Sequence, residues 1–212
     1  MSDFKALTES LIKGDIKAAV AETQSALDAG SNARDILDNG LIAAMDEVGE
    51  RFSKGLMFVP QMLRSAKTMQ ECMKVLQPFL KEGDVTSKGK VLIGTVKGDL
   101  HDIGKNLVAM MMKGAGFEIT DLGVDVPPEK FTQQAQEIEP DIVAMSALLS
   151  TTMPAMRLTI EALQQAGIRD KVKVMIGGAP VTERYAQEIK ADSYASDAGS
   201  AVTKAKKLLG IS

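Results

Sequence analysis

Tryptophan is absent from this 212-residue chain, and there is one cysteine and one histidine. A single cysteine excludes an internal disulfide and every zinc site that needs two thiolates. A single histidine, His101, excludes any two- or three-imidazole metal site and any pair of histidines working as acid and base within one chain. Positive charge is not in surplus: 25 Lys and Arg stand against 28 Asp and Glu, a net of -3, which argues against a general nucleic-acid binder. No apolar run approaches the roughly 20 residues that span a bilayer, so no membrane partner is expected. The first ten residues, MSDFKALTES, mix charged and apolar types without an apolar export core, so the expected location is the cytoplasm. What the chain does have is 45% hydrophobic residues, 25% charged residues and 13 methionines, the composition of a globular protein.

Two different periods run along the chain. Residues 1 to about 82 carry helical spacing, beginning with a short helix around Leu7 and Leu11. Ile16, Val20, Thr23 and Leu27 form a second stripe, with Gly30 as its stop. Ser31 is the expected cap of a third run through Leu37, Leu41, Ala44, Val48 and Phe52. After a turn at Ser53–Gly55 comes a fourth stripe of Met62, Ala66, Met69, Met73, Leu76 and Leu80. Four amphipathic helices predict a small antiparallel bundle. The methionines in it are read first as core, because thioethers fill irregular gaps, and Cys72 as a small buried side chain.

The polar, glycine-containing stretch 81–90 is the best candidate for a linker. Beyond it, β-rich runs at 91–96, 118–124, 141–148, 173–178 and 193–196 alternate with helical stretches near 103–115, 128–138, 154–166, 182–190 and 199–209. That alternation predicts an α/β unit with a five-stranded parallel sheet, Rossmann-like or flavodoxin-like. The expected division is 1–85 for the helical unit and 86–212 for the α/β unit. Ligands of such sheets bind beyond the carboxyl ends of the strands.

Three strand ends carry chemistry. The first is Gly94–Asn106, which fails as a phosphate loop: five residues rather than four separate Gly98 from Gly104, and Asn106 rather than Ser or Thr follows Lys105. The dinucleotide fingerprint also fails on its glycine spacing. What remains is His101 between two carboxylates, Asp99 and Asp102. A carboxylate that accepts one imidazole N–H fixes the tautomer and makes the other nitrogen a better ligand or base. Asp102 reads more simply as the cap of the helix that follows, and Asp99 as the partner of His101. A hydrolytic metal site of Asp99, His101 and Asp102 is short of ligands. The third strand ends in Ser146, Ser150, Thr151 and Thr152, hydroxyls that either cap the next helix or bind a ligand beside the sheet. The fourth ends in Gly177-Gly178, which serve a turn or a close backbone approach.

Taken in order, these residues resemble the cobalamin-binding domain pattern D-x-H-x-x-G, S-x-L, G-G. Here it reads Asp99-Leu100-His101-Asp102-Ile103-Gly104, then Ser146-Ala147-Leu148, then Gly177-Gly178. The intervening 41 and 28 residues are typical of that family. Met45–Phe52 and Met57–Gln61 resemble the helical cap that accompanies the domain in methyl-transferring members. The resemblance covers nearly the whole chain. It is nearest to the small corrinoid proteins of methanol, methylamine and methoxyaromatic methyltransferase systems, with the cobalamin modules of methionine synthase next.

The resemblance implies a methyl carrier working between a substrate-specific methyltransferase and an acceptor methyltransferase that serves a thiol or folate, with a reductive activation protein as a further partner. It implies cobalamin bound with its own base detached and His101 as the lower cobalt ligand. Asp99 and Thr152 extend the ligand relay, and Gly98, Leu100, Asp102 and Gly104 complete the loop around the cofactor. Ser146, Leu148, Ser150, Gly177 and Gly178 line the slot for the cofactor's tail. In the cap, Phe52, Val59 and Met62 fall where such proteins cover the methyl group, and Asp38 falls at a cap carboxylate position. Two rivals remain: a cobalamin-dependent sensor or regulatory module, and a flavin- or nucleotide-binding module on the same kind of sheet.

Overall fold

The computed structural model describes residues 4–80 and 87–211, which separate into two compact units. Most of the expected linker, residues 81–86, lies outside the described residues, as do the boundary positions 85 and 86.

The N-terminal unit is helical. Helix α1 (Lys5–Lys13) ends on Gly14 in the left-handed conformation, and Asp15 directly caps α2 (Ile16–Asp28) by accepting the Ala18 N–H at 3.0 Å. The third helix winds in three parts: α3 (Ala33–Asp35), a π-wound stretch Ile36–Ile42, and α4 (Ala43–Ser53). Its cap is Asn32, which accepts the Arg34 N–H at 2.8 Å, and not the expected Ser31. The helix begins one residue later than the apolar spacing suggests, and the cap moves with it. The π stretch was not expected either. Residues five apart share a face in π winding, so the pairs Ile36-Leu37 and Leu41-Ile42 are both buried. Gly40 supplies no side chain there, and its carbonyl accepts the Thr8 hydroxyl at 3.3 Å.

Lys54 and Gly55 end α4, with Gly55 left-handed and the Leu56 N–H reaching back to the Arg51 carbonyl at 2.8 Å. Helix α5 (Val59–Leu76) opens with Pro60 in its first turn and with Gln61 Oε1 accepting the Phe58 N–H at 2.9 Å. Its buried face is Met62, Ser65, Ala66, Thr68, Met69, Cys72 and Leu76, with Ser65 donating to the Ile12 carbonyl at 3.0 Å. Cys72 is free and buried, as the spacing predicts.

The C-terminal unit alternates strand and helix: β1 (Lys90–Thr95), α6 (Ile103–Gly114), β2 (Glu118–Asp121), α7 (Pro128–Ile138), β3 (Ile142–Ser146), α8 (Pro154–Gln165), β4 (Lys173–Gly177), α9 (Glu183–Glu188), β5 (Ser193–Ala195) and α10 (Ala198–Leu208). All pairings are parallel and the strand order is β2-β1-β3-β4-β5, the flavodoxin-like order. Consecutive residues of β1, β3 and β4 are buried, so both faces of the sheet are covered. Leu92, Val143, Met145, Val174 and Ile176 pack with Phe131, Ala135, Met156, Ile160, Leu163, Ala186 and Ile189 from α7, α8 and α9. Val91, Ile93, Ile142, Ala144 and Met175, of opposite parity, are buried on the other face.

Parallel register decides what meets what. Thr95 pairs with Ser146, Ser146 with Gly177, and Gly177 with Ala195. The three motif segments therefore leave the sheet side by side. The chain reverses its strand order between β1 and β3, and the crevice at such a reversal is where these folds bind ligands.

Gly178 closes this edge. Its φ is +128°, and a Cβ there would lie 1.9 Å from the Ala147 carbonyl oxygen. Gly178→Ala is expected to destabilise the chain by about 3 kcal/mol or more, from backbone strain and overpacking together. Urea unfolding followed by circular dichroism measures it, and a loss below about 1 kcal/mol would mean that the β4 turn adjusts freely.

Candidate functional site: a buried carboxylate holding one imidazole

The site begins where β1 ends. Thr95 is fully buried and its hydroxyl donates to the His101 carbonyl at 2.8 Å, folding residues 96–102 back over the strand end. Gly98 turns with φ of +83°, and Asp99 follows with its side chain completely enclosed.

An enclosed carboxylate is costly unless its oxygens are satisfied. Asp99 Oδ1 accepts the His101 backbone N–H at 3.1 Å and faces His101 Nδ1 at 2.7 Å. Oδ2 accepts the Leu148 N–H at 2.7 Å, the Leu149 N–H at 3.3 Å and the Thr152 hydroxyl at 2.7 Å. Burial alone would raise the Asp99 pKa. The Leu148 N–H, the Thr152 hydroxyl and the two His101 donors outweigh burial and hold the carboxyl well below the usual carboxylate range.

His101 is oriented by this carboxylate. With Nδ1–H donated to Asp99, the neutral ring presents the Nε2 lone pair, and the side chain is 52% exposed. Nε2 has no hydrogen-bond partner among the described residues. The arrangement offers one preset, accessible nitrogen donor backed by a buried negative charge. Among the described residues no group of three or more His, Cys, Asp or Glu side chains is placed to hold a metal ion. In the trio Asp99, His101 and Asp102, both Asp99 oxygens are engaged in hydrogen bonds and Asp102 Oδ2 accepts from Asn106 Nδ2 at 3.0 Å. Asp102 does stand at the helix start, where its carbonyl accepts the Asn106 N–H at 2.7 Å.

The structure brings the expected Asp99, His101 and Thr152 into one hydrogen-bonded chain. Thr152 does not cap α8: its hydroxyl serves Asp99 and the Leu149 carbonyl. Around this chain, Leu100 (72%), Ile103 (77%), Leu148 and Leu149 stand exposed, four large apolar side chains on two adjacent loops. Gly104 has open space where a Cβ would point, so the protein's own packing does not require glycine there. Ser146 and Ser150 have no side-chain partner among the described residues, and Gly177 admits no Cβ because the Ala195 carbonyl would lie 2.9 Å away.

Four expected residues lie in the N-terminal unit. Asp38 is exposed and ion-paired with Arg34 at 3.5 Å, Phe52 is half-buried, Val59 is 36% exposed and Met62 is fully buried. Sequence reasoning missed Thr95, the Leu148 and Leu149 N–H groups, and Asp125, which bonds to Gly98 and Asp99. Backbone donors leave no mark on residue identity. Asp125 follows β2, and the rule that directs attention to strand ends points to its loop as well.

An imidazole preset by a carboxylate at the β1/β3 reversal, ringed by apolar side chains, describes a site for a large, flat, metal-centred cofactor. Two family models, each of a B12 binding domain, match the chain at residues 89–203 and 4–77. The chain belongs to the B12-binding corrinoid protein family, and its cofactor is cobalamin. It is 44% identical over 198 residues to dimethylamine corrinoid protein 1 of Methanosarcina acetivorans, covering 93% of this chain and 91% of that one. Among solved structures, a cobalamin-binding protein from Desulfitobacterium hafniense DCB-2 matches with a TM-score of 0.84 and 32% identity over 97% of this chain and 98% of that one. The methanol:cobalamin methyltransferase complex MtaBC from Methanosarcina barkeri matches with a TM-score of 0.83 and 28% identity, over 98% of this chain and 79% of that one. The residues present fit the cofactor: one lone pair at Nε2, an apolar rim, and the open face at Gly104.

Asp99 also makes stability depend on pH. Its folded-state pKa lies below the ordinary 3.8, so its contribution is complete well above that value and is lost progressively as pH falls past it towards the lower folded-state value. Cofactor-free protein is expected to lose stability from about pH 5 downward. In Asp99→Asn that decline should flatten, at a cost of roughly 2 kcal/mol at pH 7 from weakened bonds to a charged acceptor. Urea midpoints across pH 3–7 test this, and parallel curves for the two proteins would contradict it.

Proposed function

We propose that this chain is a methyl carrier: it takes a methyl group from a substrate-specific methyltransferase and delivers it to a second methyltransferase that serves a thiol or folate acceptor. The observation that supports this reading most is the Asp99–His101 pair, with Nδ1 bonded to a buried carboxylate and Nε2 left accessible. Cobalamin supplies a cobalt centre able to accept and give up a methyl group. Everything else is the work of the chain. His101 would hold the cobalt through Nε2, in a binding mode in which the cofactor's own base is detached. Asp99 draws on the Nδ1 proton, strengthening the imidazole as a donor, and Thr152 fixes the Asp99 oxygen that faces away from the ring. A ligand that must bind and release in each cycle needs such a partner, because the proton on Nδ1 sets its basicity.

The tail slot in this proposal uses Ser146 and Ser150, whose hydroxyls have no protein partner among the described residues, together with the backbone at Gly177 and Gly178. Phe52, Val59 and Met62 of the helical unit are proposed to shield the methyl group from water, with Asp38 as a further candidate carboxylate. An exposed apolar surface around Leu100 and Ile103 suits a cofactor that must also be reached by a partner. The complex named methanol:cobalamin methyltransferase supports a methyltransferase as that partner. The 44% identity to the dimethylamine corrinoid protein supports a methylamine as methyl donor. A reductive activation protein completes the proposed set of partners.

Reconstituted His101→Ala should retain cobalamin through its tail, lose the His-on absorbance of the Co(III) form and transfer methyl groups at least tenfold more slowly. A spectrum identical to that of the parent would assign the lower ligand to another group. Gly104→Ala is expected to keep or raise the stability of the cofactor-free chain, by up to about 1 kcal/mol, because nothing lies within 4 Å of the added methyl. It should weaken cobalamin binding about tenfold, measured by equilibrium titration; unaltered affinity would move the cofactor away from this helix start.

A further inference from the structure

Asp125 has no part in the reading above, yet it grips the residue on which that reading depends. It lies in the loop between β2 and α7 with φ of +52°, a left-handed conformation that few residues other than glycine, asparagine and aspartate adopt. Two hydrogen bonds run from it to neighbouring residues of the His101 loop. Its Oδ1 accepts the Gly98 N–H at 2.7 Å, and its own N–H donates to the Asp99 carbonyl at 2.9 Å. Gly98 is itself left-handed and has no side chain to restrain it. Two turned residues thus face each other through a double bond bracket that encloses the Gly98–Asp99 peptide. The bracket continues the β1–β2 edge, where the Thr95 N–H donates to the Gly123 carbonyl at 2.9 Å and the Val126 N–H to the Thr95 carbonyl at 3.0 Å.

We propose that Asp125 is a positioning residue for the lower cobalt ligand: by fixing the Gly98–Asp99 peptide, it places the Asp99 carboxylate where Oδ1 meets His101 Nδ1. The inference rests on the assignment of His101 as that ligand. Asp99 is held by its side chain from β3 and by its backbone from Asp125, so the two loops on either side of β1 act on it from opposite ends. Without the Oδ1 bond, Gly98 loses the restraint on its N–H, and the Asp99 backbone is held only by the Asp125 N–H at its carbonyl and by its own N–H bond to the Val96 carbonyl at 3.1 Å. The Asp99–His101 contact then competes with the Leu148, Leu149 and Thr152 bonds for the placement of one carboxylate.

Two substitutions separate the hydrogen bond from the backbone conformation. Asp125→Gly accepts positive φ without strain but supplies no acceptor, whereas Asp125→Asn supplies the same acceptor and tolerates the left-handed region. Because the chain has one histidine, its imidazole resonances are unambiguous. In the cofactor-free full-length chain, nitrogen-15 shifts should report the Nδ1–H tautomer in the parent and in Asp125→Asn. In Asp125→Gly that tautomer's excess should fall several-fold. After loading with aquacobalamin, the His-on to His-off ratio read from absorbance across pH should fall about tenfold in Asp125→Gly, the effect of losing one hydrogen bond, and Asp125→Asn, which keeps a neutral acceptor, should restore most of it. Tautomer populations in Asp125→Gly equal to those of the parent overturn the inference. A His-on band that persists in His101→Ala refutes the ligand assignment instead, while the tautomer measurement still decides what Asp125 does.

Discussion

The carboxylate of Asp99 is the constraint on which the rest of this site depends. It is charged, completely enclosed, and supplied with donors from two separate loops. A buried charge deprived of its donors is far more costly than an ordinary polar group, so the loops after β1 and β3 cannot drift apart without exposing or orphaning it. The sheet order supplies the geometry. β1 and β3 are neighbours whose connections leave in opposite directions, and their ends are level because Thr95 pairs with Ser146. An imidazole two residues from the carboxylate then has one nitrogen bonded and one presented.

That economy shows how one histidine could suffice for the cobalt ligand proposed above. A site that must assemble a metal from free solution needs three or four side-chain donors, and no such group stands among the described residues. A metal that arrives inside a corrin ring needs only a lower donor from the protein. The surroundings match that demand. Apolar side chains at Leu100, Ile103, Leu148 and Leu149 accept a large flat surface, and Gly104 leaves room where a methyl group would intrude. The left-handed Asp125 shows the same site holding a conformation that few residues other than glycine adopt readily.

Much of the fold was legible in the order of residues. The five β-rich runs and five helical stretches fall within a few residues of the observed elements, because a parallel strand covered on both faces reads as a short continuous apolar run and a helix packed on the sheet as a 3.6-residue stripe. The departures are local. The π-wound stretch Ile36–Ile42 escaped notice because five-residue spacing of apolar pairs is indistinguishable from an imperfect α stripe until the winding is seen. The cap at Asn32 in place of Ser31 is a choice between adjacent polar residues, settled by where the first turn closes. Ile16, read as the start of a buried stripe, is 37% exposed; of that stripe α2 fully buries Thr23, together with Ala19, which lay outside it.

At the site the division is sharper. The sequence by itself determined which chemistry was available: one imidazole, a carboxylate two residues before it, hydroxyls and paired glycines at later strand ends, in the order and spacing of a cobalamin-binding domain. Tertiary structure alone decided how those groups are used. It enclosed Asp99, took both of its oxygens, placed the Thr152 hydroxyl on the oxygen facing away from the ring, and recruited Thr95 and Asp125 to hold the loop. The physical reason is that residue identity states what a group can donate or accept. Whether it meets a partner depends on strand register and backbone N–H groups, which leave no trace in side-chain identity.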